Sequence, residues 1–356
     1  MGPDRRGRAA GHPTGLAADL DEVLEAAAED LARWRGARVL LTGATGFVGT
    51  WLLETLAWAD RRLGLGVRAV AASRDPARLP PHLAANPAVE PLRADVRALP
   101  RVGPVDAVVH AAAPASAPFG HGDGAPHALT ATILDGTRAA LEAAVAAGGV
   151  PLLFVSSGAV YGRVPGAAPP GEATLTGPDP LDPRATYGEA KRMAELLCAI
   201  ETARGRVPAT VARCFTFVGP HLPLGAHFAV GNFLADVLAG RPVHVRSDGR
   251  PLRSYLYAAD LAAWLWGVLA RGAPGRAYNV GSDHAVSIAE LAAACAAQAA
   301  PPPPVVIAGT PTDGPPDVYL PDTTRAHAEL GLAQRVELTD ALARTLAWHR
   351  RHGAAA

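Results

Sequence analysis

Tyr187-Gly188-Glu189-Ala190-Lys191 places a phenol and an ammonium at i and i+4, neighbours on one face of a helix. Such a pair can move protons. A free phenol ionises near ~10, too high for a base at neutral pH. A cation one turn away, together with positive charge on a cofactor, favours the phenolate. Upstream, an apolar run ends in Ser156-Ser157 and continues as Gly158-Ala159-Val160-Tyr161-Gly162. A serine there would hydrogen-bond the same substrate hydroxyl as Tyr187. Tyr-x-x-x-Lys also occurs on ordinary helices, so its weight comes from what precedes it.

What precedes it is Thr42-Gly43-Ala44-Thr45-Gly46-Phe47-Val48-Gly49, directly after the apolar run Val39-Leu40-Leu41. One glycine permits a tight turn, one lets backbone approach a pyrophosphate, and one lets helix pack on strand. The helix N-terminus then offers N–H groups and partial positive charge to phosphate. Strand, loop and helix in this order point to dinucleotide binding through Gly43, Thr45, Gly46, Phe47, Val48 and Gly49. An acid at the end of the next strand would accept the ribose 2′-OH of NAD, and an Arg nearby would hold the 2′-phosphate of NADP. That strand ends in Ser73-Arg74-Asp75. Ser73 stands in the acid's place and Arg74 suits a phosphate or an adenine face, which leaves NAD and NADP both open. Asp95-Val96 would flank the adenine, or Asp95 serves a turn.

These residues need a scaffold. Strands are expected at Arg68–Ala72, Ala107–His110, Leu152–Ser156 and Ala209–Arg213, separated by helices from Phe47 to about Arg62, over Leu129–Ala147 and over Ala185–Ala203. Alternating short apolar runs and helices predict a Rossmann-type, doubly wound parallel α/β sheet covered on both faces. Past residue 213 the pattern loosens, with helices at His227–Ala239, Ala258–Ala270, Ser287–Ala299 and Thr339–Arg351 and strands at Val243–Arg246, Ala277–Val280 and Val305–Ala308. We expect an N-terminal extension over 1–35 with an amphipathic helix from Leu16 to Trp34, a dinucleotide domain over 36–213, and a smaller α/β substrate domain over 214–356. Segments near 254–281 cross back to the first domain.

Composition narrows the class. Of 356 residues, 33 are Lys or Arg and 33 Asp or Glu, so no global basic field draws nucleic acid or an anionic membrane. No apolar run approaches the ~18 residues of a membrane span, and no secretory signal is visible behind Met1. Cys198, Cys214 and Cys295 are widely spaced, without metal or disulfide spacing, which suits a reducing cytoplasm. His121, His127, His221 and His227 show no metal spacing either, and no metal is expected.

Taken together, Thr42–Gly49, Asp95-Val96, His110–Ala113, Ser156–Gly162, Tyr187–Lys191, Arg213–Pro220, Arg253–Leu261 and Tyr278–Gly281 resemble, in order, the extended short-chain dehydrogenase/reductase superfamily, specifically its nucleotide-sugar epimerase/dehydratase group. The resemblance runs from about residue 38 to 330. It implies an NAD-dependent enzyme, with NADP admitted by Arg74. Tyr187 would be catalytic base and acid, Lys191 would hold the nicotinamide ribose and lower the Tyr187 pKa, and Ser157 would orient the hydroxyl. Ala111, Ala112 and Ala113 would line the cofactor. A nucleotide-diphosphate sugar would meet Ser116, Ser157, Thr216, Asn232 and Arg253, the guanidinium gripping the diphosphate. A surface Arg and a helix-cap Asn are the plain alternatives for Arg253 and Asn232. The family often dimerises through two helices per subunit, here Leu129–Ala147 and Ala185–Ala203, so a homodimer is expected.

Departures from the family pattern carry chemistry. Dehydratases of the group bear an Asp-Glu pair where this chain has Gly158-Ala159, and the related decarboxylases usually keep a Glu there. Thr216 and Ile133 replace family asparagines, and no Arg lies between Arg276 and Arg325. Dehydration needs an acid and a base at neighbouring carbons, whereas epimerisation at an oxidised carbon needs neither. The expectation is a redox-neutral epimerase, at C4, working through a 4-keto intermediate. The alternatives are a dehydratase or decarboxylase, an NADPH-dependent keto-sugar reductase, or a non-catalytic nucleotide-binding protein, which the intact Tyr187 and Lys191 oppose.

Overall fold

The computed structural model describes residues 12–113, 125–164, 168–225, 228–310 and 313–353. Ser116, His121 and His227 lie outside them. The main sheet is built from β1 (Arg38–Thr42), β2 (Arg68–Ser73), β3 (Val89–Arg93), β4 (Ala107–His110), β5 (Leu152–Ser157) and β6 (Ala209–Cys214). Its spatial order is β3-β2-β1-β4-β5-β6, with the strand Ala277–Val280 added beyond β6 as a seventh member. Every pairing is parallel. The buried strands read accordingly: Val39, Leu40 and Leu41 are 1%, 0% and 3% exposed, and β4 is buried throughout. A sheet covered on both faces has no solvated side to mark with polar residues. Strand order reverses between β1 and β4, and ligands of such sheets bind there, outside the carboxyl ends of the strands.

The helices are α1 (Ala17–Ala32), α2 (Phe47–Leu63), the short α3 (Pro81–Ala84), α4 (Ala125–Ala146), α5 (Thr186–Ala203), α6 (Ala229–Leu238), α7 (Ala258–Arg271), α8 (Ile288–Ala296), α9 (Thr324–Leu330) and α10 (Leu338–His352). Among the described residues none is long and apolar enough to cross a membrane. Helix α1 packs on α7 and α2 of its own chain. Its buried face is Leu20, Val23, Leu24, Ala27 and Leu31. Asp30 pairs with Arg271 at 2.7 and 3.0 Å, and Asp19 accepts from Arg344 at 2.8 Å. Helix α7 is buried from Ala258 to Leu269, including Trp264 and Trp266, which is why it reads as apolar all round.

The C-terminal third contributes small sheets that the sequence reading did not foresee. Leu252–Arg253 pairs in parallel with Val318–Tyr319 and antiparallel with Val286–Ser287. Phe217–Val218 pairs with Leu256–Tyr257. Two-residue strands carry too little periodicity to be read from sequence.

Candidate functional site

The loop after β1 is shaped by what surrounds it. Gly43 has a left-handed φ of 73°, and a Cβ there would lie 2.7 Å from the Ala111 carbonyl and 2.8 Å from the Ala112 Cα. A Cβ on Gly49 would meet the Gly43 carbonyl. No side chain fits at either place, so turn and helix close tightly. Helix α2 starts at Gly46 with no side-chain cap, so its first N–H groups are left to face an anion. Phe47, Val48 and Thr45 are half-buried around that end. Ala111, Ala112 and Ala113, half-buried, continue β4 beside the loop. His110 Nδ1 meets Thr42 Oγ1 at 2.7 Å beneath it. The cradle therefore fits a dinucleotide pyrophosphate. At the β2 end Ser73 is buried and its Oγ accepts from the Asp75 N–H at 3.1 Å, while Arg74 is exposed. Asp95 caps the turn Val96–Ala98 and is bound by Arg97, whose guanidinium and N–H hold its carboxyl down at about 2. Val96 packs against Gly136 of α4.

The second half of the site sits at the ends of β5 and β6. Ser157 closes β5, and α5 delivers Tyr187 and Lys191. Lys191 is buried, donates to the Val155 carbonyl at 2.7 Å and stands 6.0 Å from the Tyr187 ring centroid. Burial dominates the electrostatics of both groups. Burial pushes Tyr187 up to about 12, opposed by its hydrogen bond with Ser157. Burial also pulls Lys191 down to about 8.

Behind these groups lies a network absent from the sequence reading. Glu195 accepts from Ser156 Oγ at 2.6 Å and pairs with Arg213 at 2.7 Å. Arg213 donates to the Tyr161 hydroxyl at 2.9 Å, which donates to Asn279 Oδ1 at 2.8 Å. Glu195 shares the α5 face three and four residues from Arg192 and Lys191, so helical spacing was the signal available. The network locks the carboxyl ends of β5, β6 and the seventh strand in register.

Tyr319 also enters the site. Its hydroxyl lies 3.5 Å from Ser157 Oγ, and its ring packs against Phe215 at 4.9 Å, tilted by 42°. A Cβ at Gly158 would lie 2.7 Å from two Phe215 ring carbons and 2.8 Å from the Tyr319 hydroxyl. The space beside Ser157 is thus occupied by two aromatic rings.

The expected substrate residues fare differently. Arg253 is brought near Tyr319, 5.9 Å from its ring centroid, but is already paired with Asp317 at 2.7 Å. The Thr216 hydroxyl donates to the Ser254 carbonyl. Asn232 is the fourth residue of α6, in its first turn, and the N-cap is Phe228, so Asn232 does not cap the helix.

Comparison with known proteins agrees with this geometry. A family model described as NAD dependent epimerase/dehydratase family matches residues 39–281. A dTDP-glucose 4,6-dehydratase of Streptomyces griseus is 29% identical over 88% of this chain and 94% of its own length. UDP-glucuronic acid decarboxylase 1 of Arabidopsis thaliana is 30% identical over 86% of this chain and 68% of its own. The solved UDP-glucose 4-epimerase of Thermotoga maritima, in complex with UDP-glucose, shares the fold with a TM-score of 0.73 at 23% identity, covering 88% of this chain and 99% of that one. With its glycine cradle, its uncapped helix N-terminus and the Ser-Tyr-Lys set on one sheet end, the chain belongs to the NAD dependent epimerase/dehydratase family, and NAD is its cofactor.

Proposed function

We propose that this protein is a redox-neutral nucleotide-sugar epimerase acting at C4. Bound NAD supplies hydride acceptance and return, and positive charge beside the phenol. The chain does the rest. Tyr187 takes the C4 hydroxyl proton and gives it back, Ser157 orients that oxygen, and Lys191 holds the ribose edge. The keto sugar turns within the site between the two transfers, so hydride returns to its other face.

The observation that carries this reading is Gly158. No acid is available there or at Ala159, and the volume such a side chain would need is filled by Phe215 and Tyr319. The α5 carboxylate that reaches the end of β5, Glu195, is committed to Arg213 and Ser156. The test is incubation with a panel of nucleotide-diphosphate sugars, read by mass spectrometry and NMR. A C4 epimer of unchanged mass with no net NADH is expected. Loss of water or carbon dioxide from the product overturns the epimerase reading. That outcome is the second reading, a dehydratase or decarboxylase, which the names of the dehydratase and decarboxylase relatives favour.

The same reading places the enzyme in the cytoplasm, in keeping with three buried free thiols at Cys198, Cys214 and Cys295. It makes the protein a homodimer through α4 and α5. Met193 and Leu196 stand 47% and 53% exposed on α5, an apolar surface that a partner's helices would cover.

A further inference from the structure

Three histidine rings converge on one carboxylate of helix α2. Glu54 lies in the third turn of α2 and is fully buried. His82 Nε2, from α3, lies 2.9 and 3.0 Å from its two oxygens. His12 Nε2, from the segment ahead of α1, lies 3.0 Å from Oε2. His221 Nε2, from the loop beyond β6, lies 3.3 Å from Oε1. Burial would raise the Glu54 carboxyl, yet the three imidazoles hold it well below the usual carboxylate range. It therefore stands as a buried anion facing ring nitrogens.

The ligand atoms of His12, Glu54 and His82 all fall within 4.8 Å of one another. Tetrahedral zinc with N and O ligands at about 2.0–2.2 Å sets its donors about 3.3–3.5 Å apart. The 2.9–3.0 Å separations of His82 and His12 from Glu54 need only small outward shifts to admit an ion. The His12 ring is held by Thr14, whose Oγ1 lies 2.8 Å from Nδ1 and whose N–H donates to it at 3.3 Å, and this leaves Nε2 facing Glu54. Outer partners of this kind fix the tautomer of a metal-bound imidazole. Among the described residues His221 is the non-glycine residue with a left-handed φ, 67°. Its buried Nε2 makes no hydrogen bond of proper geometry. Backbone held in such a conformation marks a position the surroundings over-determine.

We propose that His12, His82 and Glu54 bind one Zn2+ ion, with a water in the fourth position and His221 bracing the carboxylate. The ion clasps the chain ahead of α1 onto the helix that carries the phosphate loop. Imidazole and carboxylate donors suit zinc, whereas magnesium and calcium seek all-oxygen shells. On binding, His12 and His82 present neutral rings whose Nε2 lone pairs take the metal. The His12 ring proton then lies on Nδ1 and is donated to Thr14 Oγ1, so binding exchanges the tautomer whose Nδ1 accepts from the Thr14 N–H at 3.3 Å.

The test uses tag-free full-length protein equilibrated with Zn2+ and dialysed free of excess. Atomic emission is expected to find close to one zinc per chain. His12→Ala and His82→Ala are expected to weaken binding at least 100-fold, and His221→Ala about 10-fold, the outer-partner range. His244→Ala, exposed elsewhere, serves as the unchanged control. The melting temperature of wild type, and not of His12→Ala, should rise with zinc and return with a chelator. Cobalt loaded into wild type should show the absorption bands of tetrahedral coordination, which decides the matter even where a variant fails to fold. Wild type without stoichiometric zinc, or ligand variants that bind as wild type does, would overturn the proposal and leave a purely hydrogen-bonded carboxylate.

Discussion

Tyr187 and Gly158 are the residues on which the chemistry turns. Replacing Tyr187 with Phe removes the proton carrier while leaving the ring packing. Turnover should fall about 10²–10⁴-fold, the usual worth of a general acid–base, with NAD content of the purified protein unchanged. Undiminished turnover would remove Tyr187 from the mechanism. Gly158→Ala tests the crowding argument, because its methyl would enter the Phe215 ring. Overpacking of this kind costs about 1–3 kcal/mol, which calorimetry would register as a lower melting temperature. A variant as stable as wild type would mean that Phe215 and Tyr319 give way easily. Tyr187, Lys191, Ser157 and the glycine loop were legible because each motif is local and its spacing is its mechanism. Tyr319 was not, because only the pairing of Val318–Tyr319 with Leu252–Arg253 brings it to Ser157. The Tyr187 pKa depends on more than its neighbours along the helix. Spacing reports which groups are neighbours and says nothing of how far burial desolvates them.

At the scale of elements, α1 and α5 make separate demands. Helix α1 is held by apolar burial and by Asp30, 4% exposed, against Arg271. Arg271→Ala would leave that carboxylate without its charged partner, at a cost of about 1.5–3 kcal/mol. Chemical denaturation should show it as a lower midpoint, and an unchanged midpoint would make the pair incidental. Helix α5 offers Met193 and Leu196 to solvent. Met193→Glu with Leu196→Glu should convert a dimer to a monomer in light scattering behind size exclusion. A wild-type monomer would dispose of the proposed dimer. Most of the helices and parallel strands were readable from periodicity, since amphipathic faces and fully apolar runs are what the two environments require, but β3, α3 and α9 were not among the expected elements. The two-residue strands of the C-terminal third were not, since they follow from the tertiary path.

For the molecule as a whole, pH should reveal its buried imidazoles. Burial pulls His110 down to about 3 and His349 to about 4, from an ordinary 6.5. Both stay neutral in the fold and gain protons in the unfolded chain, so the unfolded state binds more protons below 6.5. Their contribution to stability is therefore present above that pH and is lost as pH falls toward about 4 and then 3. The melting temperature should drop between pH 7 and pH 5, and His110→Asn should flatten the slope whatever it does to stability at pH 7. Parallel slopes for variant and wild type would exclude His110 as a contributor.

The amino-acid sequence alone determined the doubly wound class, the phosphate loop and the Ser-Tyr-Lys set, because local backbone chemistry and helical spacing write these directly into residue order. It also showed which acids were missing. Only the tertiary structure decided what fills their place, that Glu195 is spent on Arg213, that Arg253 is already paired with Asp317, and that His12, His82 and His221 meet at Glu54. Those are encounters between residues tens to hundreds of positions apart. They arise when the sheet closes and apolar faces are buried, and no spacing along the chain encodes them.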